Sequence, residues 1–332
     1  MKKSMRIVSI VSVIALMAAV FTGCQKKDEV TTLKVSEVTH SVFYAPQYVA
    51  INRGFFAEEG IEIELINGGG ADKVMTAVLS GGVDIGFAGP EASIYVYNEG
   101  KENYCQVFAQ VTKRDGSFLI SREKYDDFKW EDLEGKTILP GRKGGVPYMT
   151  LLYVINQKGL ELNKDVFFND TIQFDLMASS FTNGIGDFVT AFEPVATSIE
   201  ESGKGYIVAS IGEESGEIPY TAYFATKDYL AENSDLIERF TRALYKGQLW
   251  VKDHTAGEIA NAISPSFPDT DIATLEKVVT RYKEIDAWCD SPELKEESFE
   301  KLQTVISAAG ELKQKAPYLD VVNNTFAEKV VK

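Results

Sequence analysis

The stretch from Phe43 to Asn67 constrains the fold most, because it contains a helix, its end and the following strand. Pro46 fits the first turn of a helix, where its missing N–H costs no hydrogen bond, and Gly54 is typical of a helix end. Apolar and acidic side chains then alternate through residues 61–65, which predicts a strand with one solvent-facing side. With the strand predicted at 33–39, this order gives a βαβ unit.

The same order recurs further along the chain. Strands are predicted at 33–39, 61–67 and 83–87, and each ends in small or flexible residues just before a helix begins. In parallel α/β sheets, ligands bind at this edge, where the unpaired N–H groups of helix N-termini point outward. The pattern therefore predicts a binding site at the carboxyl ends of these strands.

A second α/β lobe is predicted as an insertion within the first. Residues 117–121 and 219–225 have the character of crossing segments about a hundred residues apart, and residues 171–174 suit a strand. We therefore predict that residues 33–116 and 222–332 form lobe 1 and that residues 117–221 form lobe 2. Two lobes joined by two crossings form a clamp that closes about a hinge.

The sequence motifs resemble those of a known family. The run F-Y-A-P-Q-Y-V-A from Phe43, the G-F-F at Gly54 and the E-G-I-E-I-E from Glu59 are similar to the opening of the solute-binding proteins of ABC importers for nitrate, sulfonates, taurine and thiamine-pyrimidine precursors. The resemblance implies a periplasmic-binding-protein-like type II fold, with two α/β lobes joined by two crossover segments. It also implies a receptor without catalysis, cofactor or metal, which works as a monomer with permease subunits and a cytoplasmic ATPase.

The amino terminus is similar to a lipoprotein export signal. Three basic residues precede an apolar run over residues 7–21, which is short for a membrane span. The following Phe21-Thr22-Gly23-Cys24 resembles a lipobox. We therefore expect a signal peptide at residues 1–23, lipidation of Cys24, a tether at residues 24–32 and an extracytoplasmic location on the cell membrane. The alternative is an ordinary signal peptide followed by an incidental cysteine.

The net charge excludes several partners. The formal charge of −15 becomes −18 when the three positive charges of residues 1–23 are removed. Such an acidic surface repels nucleic acid and anionic lipid, so membrane contact would come from the lipid on Cys24.

Cys105 and Cys289 are either small buried side chains or a disulfide, which export permits. The two histidines of the chain are too few to form an imidazole cluster for a catalytic metal.

Candidate ligand contacts in lobe 1 lie at the predicted sheet edge. They are Ser41, Phe43, Tyr44, Gly69, Gly70, Gly89 and Glu91. The two aromatic rings at 43 and 44 are expected to form a wall of the cleft, or alternatively to pack beneath it. The glycines at 69 and 70 either admit a ligand or serve a loop that needs positive φ. Glu91 suits a ligand with N–H donors or positive charge, or alternatively complements the helix dipole.

Candidate contacts in lobe 2 and at the second crossing are Gly144, Gly145, Tyr148, Glu193 and Tyr220. Family resemblance supports the loop before Tyr148 as a ligand wall, and Arg142 beside it suits an anion or remains solvated. Phe192-Glu193-Pro194 matches the family's aromatic, acidic, Pro element. In the thiamine-pyrimidine branch, the acidic residue is implied to bind the aminopyrimidine. Its alternative role is a helix cap.

Aromatic rings with two carboxylates suit a flat, nitrogen-bearing ligand better than an anion, which would need more arginine. We therefore predict a thiamine-pyrimidine-like or other nitrogen heterocycle, with a sulfonate, taurine or nitrate as the alternative. A related eukaryotic enzyme of the family makes thiamine pyrimidine from its own histidine, and His40 lies in the first loop. That enzyme's cysteine-rich iron-binding run has no counterpart in this chain. A surface sensor or adhesin with the same fold is a third possibility.

Overall fold

The structure, a computed structural model of the chain, describes residues 30–332. The predicted signal peptide, the predicted lipidation site Cys24 and most of the predicted tether lie outside these residues. Within residues 30–332, no helix combines the length and the hydropathy that crossing a bilayer requires.

Within residues 30–332, ten strands form two five-stranded sheets. The strands are β1 (Thr31–Glu37), β2 (Ile61–Asn67), β3 (Ile85–Ala88), β4 (Cys105–Thr112), β5 (Ser117–Ser121), β6 (Thr137–Leu139), β7 (Phe167–Phe168), β8 (Phe188–Phe192), β9 (Tyr206–Ser210) and β10 (Thr221–Thr226). The first sheet has the order β2-β1-β3-β10-β4 and the second the order β7-β6-β8-β5-β9. The first three strands in each order pair in parallel. In the first sheet β10, and in the second sheet β5, runs antiparallel to both of its neighbours. The predicted α/β fold with two lobes is confirmed.

Helices cover both sheets. They are α1 (Ala45–Asn52), α2 (Phe55–Glu58), α3 (Ala71–Leu79), α4 (Glu91–Asn98), α5 (Val146–Gln157), α6 (Met177–Thr182), α7 (Val195–Glu201), α8 (Ile211–Ser215), α9 (Lys227–Glu232), α10 (Ser234–Asp253), α11 (Ala256–Ile263), α12 (Ile272–Glu284), α13 (Glu296–Ala308), α14 (Tyr318–Val321) and α15 (Thr325–Val330). Helix α1 begins with Pro46 in its first turn, as predicted. Gly54 then adopts a φ of 78°, a conformation that costs glycine little, between α1 and α2.

The crossings between the lobes are shorter than predicted. The stretch 117–121 is β5 of the second sheet, and most of 219–225 belongs to β10 of the first sheet. The crossings are therefore residues 113–116 and 216–220. An extended apolar stretch such as 117–121 suits a buried strand as well as a crossing, so the alternation pattern alone does not separate them. The first crossing is instead the charged run Lys113-Arg114-Asp115-Gly116.

The stretch 171–174, predicted as a strand, is instead a turn followed by a short 3-10 helix, Phe174–Leu176. Asn169 causes this turn, because its side-chain oxygen accepts hydrogen bonds from both the backbone N–H and the hydroxyl of Thr171. Cys105 and Cys289 are buried free thiols rather than a disulfide.

Candidate functional site

A cleft between the lobes contains two neighbouring chambers. The first chamber has a volume of about 260 Å³ and the second about 570 Å³. Thr39, Gly69, Lys73 and Phe192 are among the residues that line both, so the chambers form one continuous cleft. The cleft lies at the carboxyl ends of β1, β2 and β3, the edge where the sequence predicted a site.

The first chamber receives residues from both lobes. Lobe 1 contributes Val38, Thr39, Tyr44, Gly69, Gly70, Ala71, Asp72, Lys73, Gly89, Glu91 and Thr221; lobe 2 contributes Arg142, Gly145, Val146, Pro147, Asp170, Thr171, Ile172, Gln173, Phe174, Asp175 and Phe192; the second crossing contributes Tyr220. Seven of the twelve residues predicted from the sequence are in this set. Four carboxylates and two basic side chains line the chamber, which leaves an acidic surplus.

Of the two neighbouring aromatic residues, only Tyr44 lines the first chamber. Its ring meets Phe87 edge to face, with 4.6 Å between the ring centroids. Phe43 is fully buried beneath the cleft, where its ring packs against Phe192 and Tyr282. Both residues lie in a short 3-10 helix, Val42–Tyr44. Consecutive residues of such a helix point in different directions, so one ring reaches the cleft and the other supports it.

The predicted glycines occupy the strand ends. Gly69 and Gly70 line the first chamber and both have positive φ values, 68° and 146°. Their N–H groups donate to Asn67 Oδ1 and to the Val38 carbonyl. These N–H groups are therefore occupied within the protein, and the glycines leave space in the chamber wall.

Glu91 occupies the amino terminus of α4. Its side chain is 1% exposed and folds back over Gly89, where any Cβ would overlap the carboxylate. Oε2 has no hydrogen-bond partner among the described residues. Burial raises the pKa of Glu91 to about 7, while Arg142 and the N–H groups of Glu91, Ala92 and Val146 oppose this shift. The carboxylate thus fills the helix-terminal position that would otherwise suit a bound anion.

The loop before α5 closes the cleft from lobe 2. The Tyr95 hydroxyl of α4 donates to the Gly144 carbonyl at 2.9 Å, and Arg142 Nε lies 3.5 Å from Asp72 Oδ1. Gly145 lines the first chamber, whereas Gly144 belongs to the lining of neither chamber. Tyr148 also lies outside both linings, because its ring packs edge to face on Phe168 within lobe 2. The lobes therefore touch across the first chamber.

Ser41 and Glu193 border the second chamber. Ser41 Oγ donates to the Glu193 carbonyl at 2.5 Å, which joins the two lobes. The Glu193 carboxylate accepts from the N–H and hydroxyl of Thr197, in the first turn of α7, and from Arg281. The carboxylate thus acts as a helix cap and ion-pair partner, the alternative role considered from the sequence, and its oxygens are engaged by protein donors.

Sequence reasoning missed the segment 170–175, which contributes six consecutive residues to the first chamber. The available signal was Asn169-Asp170-Thr171, a turn sequence rather than a strand sequence. Asp72 and Lys73 in the first turn of α3 were missed as well, because charged residues at a helix start usually face solvent. Among residues 30–332, no three His, Cys, Asp or Glu side chains gather closely enough to hold a metal ion.

The two lobes, the short crossings and the cleft between the sheet edges define the class of periplasmic-binding-protein-like folds. Two solved structures share the fold over most of their length. The alkanesulfonate-binding protein SsuA from Xanthomonas axonopodis pv. citri, bound to MOPS, has a TM-score of 0.71 at 15% identity, covering 89% of this chain and 98% of SsuA. The periplasmic nitrate-binding protein NrtA from Synechocystis PCC 6803 has a TM-score of 0.73 at 16% identity, covering 91% and 89%.

The chain belongs to the NMT1/THI5 like family, whose model matches residues 42–256. A relative with much higher identity is YtlA of Bacillus subtilis (strain 168), whose name designates it, provisionally, as a binding protein. It is 45% identical over 308 residues, which cover 93% of this chain and 92% of YtlA.

Proposed function

We propose that this protein is the lipid-anchored, extracytoplasmic solute receptor of an ABC importer, and that it captures a small ligand in the cleft between its lobes. The fold is that of the sulfonate- and nitrate-binding proteins, and YtlA, its relative, also bears the name of a binding protein. Ligand that contacts both lobes favours the closed form over the open form, and the permease would recognise the closed form.

The observation that carries the ligand assignment is the unpartnered Glu91 Oε2 in the wall of the first chamber. A buried acceptor without a donor is costly, and a ligand N–H group or cation would satisfy it. The acidic surplus of the chamber favours the same ligands. We therefore propose a flat, nitrogen-bearing heterocycle with N–H donors, such as an aminopyrimidine, stacked near Tyr44 and Phe192.

The alternative ligand is a sulfonate, taurine or nitrate anion. Arg142 favours it, since this guanidinium lines the chamber beside the amino terminus of α5. However, Glu91 already places a carboxylate beside these positive groups. A bound anion would require that carboxylate to move away or to take up a proton, so the affinity for an anion should fall as the pH rises above the Glu91 pKa of about 7.

Calorimetric titration of the purified protein tests both the receptor role and the ligand class. We expect saturable binding of aminopyrimidines and at least tenfold weaker binding of ethanesulfonate, taurine and nitrate. Replacing Glu91 with Gln should weaken the aminopyrimidines by more than about tenfold, since a charge-assisted hydrogen bond is lost. Tighter binding of an anion than of any nitrogen heterocycle would favour the alternative, and no binding of any small molecule would contradict the receptor role.

The surroundings of His40 weigh against an enzyme that consumes its own histidine. Nε2 of His40 lies 2.7 Å from the Ser266 carbonyl, which only accepts hydrogen bonds, and Nδ1 lies 2.8 Å from Glu37 Oε1. The hydrogen bond to Glu37 raises the pKa of His40, which favours the imidazolium form. Mass spectrometry after incubation with iron and pyridoxal phosphate should find His40 unmodified, and a modified ring would support the enzyme.

A further inference from the structure

The first crossing contains a buried acid that belongs to neither chamber wall. Asp115 is fully buried, and its Oδ1 accepts from Ser117 N at 2.7 Å and from Ser117 Oγ at 2.6 Å. Oδ2 has no partner among the described residues that meets hydrogen-bond geometry. A buried carboxylate requires donors on both oxygens, so Oδ2 marks an interaction that is incomplete in this conformation.

Tyr220 of the second crossing lies next to this acid. Its ring lines the first chamber and is only 4% exposed, and its hydroxyl also lacks a partner of good geometry among the described residues. Burial raises the pKa of Tyr220, and the Asp115 carboxylate raises it further through charge and hydroxyl contact. The two crossings therefore bring an unsatisfied acceptor and an unsatisfied hydroxyl together at the floor of the cleft.

The protonation state of Asp115 decides which way the hydroxyl proton of Tyr220 points. Burial raises the pKa of Asp115 to about 7, so at pH 8 the group is mostly an ionised carboxylate, which only accepts hydrogen bonds, and the Tyr220 hydroxyl must then donate to Asp115. The lone pairs of the Tyr220 oxygen then remain available to the chamber as acceptors. Glu91 Oε2 is a second free acceptor in the same chamber, and its charge also acts on Tyr220.

We propose that Asp115 is a specificity-determining residue that acts through Tyr220: it holds the Tyr220 hydroxyl as an acceptor, so that the first chamber selects ligands that present N–H donors. This inference rests on the proposed receptor function. Asp115 is a positioning residue and touches no ligand itself. Both residues lie on the crossings, which are the hinge of the proposed clamp, so the group that selects the ligand is part of the hinge itself.

Replacing Asp115 with Asn tests the proposal, because it reverses the direction of the hydrogen bond between residue 115 and the Tyr220 hydroxyl. The Asn side chain keeps an oxygen that accepts from Ser117, but it presents its NH₂ group to Tyr220. The Tyr220 hydroxyl then accepts a hydrogen bond from Asn and can donate its own proton to a ligand in the chamber. The probes are 4-amino-2-methylpyrimidine, a donor, and 4-methoxy-2-methylpyrimidine, which only accepts at the same position. Calorimetry at pH 8, where Asp115 is mostly ionised, should show at least a tenfold preference of the wild type for the amino compound, falling to less than threefold in Asp115→Asn.

Two further variants keep the test decisive. Ser117→Ala removes one hydrogen bond to Asp115 but leaves the Asp115 charge facing Tyr220. The preference of this variant for the amino compound should therefore match that of the wild type. Tyr220→Phe removes the hydroxyl without altering the buried acid, so it should lose the preference even if Asp115→Asn fails to fold. In the Tyr220→Phe background, the Asn substitution should have no further effect on the preference.

The outcomes distinguish the two levels of the proposal. If the wild type binds both compounds and the variants at 115 and 220 keep its preference, the role of Asp115 is refuted while the receptor function stands. If the wild type binds neither compound, the proposed ligand class fails and the role of Asp115 fails with it.

Discussion

Arg281 of α12 donates to the Glu193 carboxylate at 2.5 Å, although the two residues come from different lobes. Arg281 also bonds Glu200 at 3.1 Å, and the neighbouring Tyr282 hydroxyl accepts from Glu193 N and donates to the Gly116 carbonyl. Helix α12 packs on α11, which in turn packs on α1 of lobe 1. A helix of lobe 1 is therefore fastened to lobe 2 beside the second chamber.

Replacing Arg281 with Met should lower the free energy of unfolding by about 2–4 kcal/mol, because the fully buried Glu193 carboxylate would lose its cation. Chemical denaturation at neutral pH measures the change. The matched control is Lys277→Met, which removes an exposed cation 3.4 Å from Glu200 and should change stability by less than about 0.5 kcal/mol. Equal effects of the two substitutions would contradict a special role for the Arg281 pair.

Glu193→Gln should act on stability more than on ligand affinity. Gln would turn an NH₂ group toward the donors of Thr197 or Arg281, at a cost of about 1–3 kcal/mol. Because both carboxylate oxygens are engaged by protein donors, affinity for a cleft ligand should change less than threefold. Denaturation and calorimetry on the same preparation separate the two effects. A large loss of ligand affinity with unchanged stability would contradict this prediction and show that Glu193 contacts the ligand.

Glu91 should make the stability of the ligand-free protein depend on pH. Its folded pKa of about 7 exceeds its ordinary 4.5, so the folded state holds the proton more tightly. Stability therefore falls as the pH rises from 4.5 to about 7 and then levels, with a total change on the order of 3 kcal/mol. Arg142 is the cation that faces this carboxylate, and Tyr95 and Tyr220 are the other ionisable groups coupled to it.

Glu91→Gln should remove the Glu91 contribution, so the variant should be more stable than the wild type at pH 8 and similar to it at pH 5. The buried Asp115, whose pKa burial also raises to about 7, keeps its own pH dependence in both proteins. The comparison is made by denaturant titration at both pH values. Glu62→Gln, on the exposed side of β2, provides the control and should leave the difference between the two pH values unchanged. A Glu91→Gln advantage that is the same at both pH values would show that Glu91 does not titrate in this range.

Gly116 of the first crossing should tolerate no side chain. A Cβ there would overlap the ring of Phe43, which is itself fully buried. Gly116→Ala should therefore cost about 1–3 kcal/mol by overpacking. The control Gly257→Ala, on α11, meets only the end of the Glu276 side chain and should be neutral or slightly stabilising. Denaturation midpoints of the two variants give the comparison, and a neutral Gly116→Ala would contradict the tight packing.

Much of the fold could be predicted because its units are local. Several signals act within a few residues, so the sequence shows them directly. They are the alternation of apolar and acidic side chains in β2, the proline in the first turn of α1, and the glycines after β2 and β3. The crossings were misplaced by a few residues because an extended apolar stretch such as 117–121 suits a buried strand as well as a connector. Only the pairing of β5 with β8 and of β10 with β4 distinguishes them, and that pairing depends on distant residues.

The candidate site was predictable at strand ends and less so elsewhere. Tyr44, Gly69 and Glu91 follow the sheet-edge rule and line the cleft, as that rule predicts. Phe43 and Tyr148 are aromatic neighbours of the same loops, but the direction of their side chains depends on packing that the sequence does not display. Asp115 gave no signal at all, because a single acid in a connector is usually solvated.

The placement of β10 between β3 and β4 has a consequence for how the chain matures. Its hydrogen bonds complete the middle of the first sheet, yet it is synthesised more than a hundred residues after β4 begins. The five strands of the second sheet lie in one continuous stretch, residues 117–210, and can pair once that stretch has emerged, whereas β3 and β4 must wait for the returning segment before their facing edges are paired. The first sheet is therefore the last to be completed, and premature termination before residue 221 would leave an open strand edge prone to aggregation.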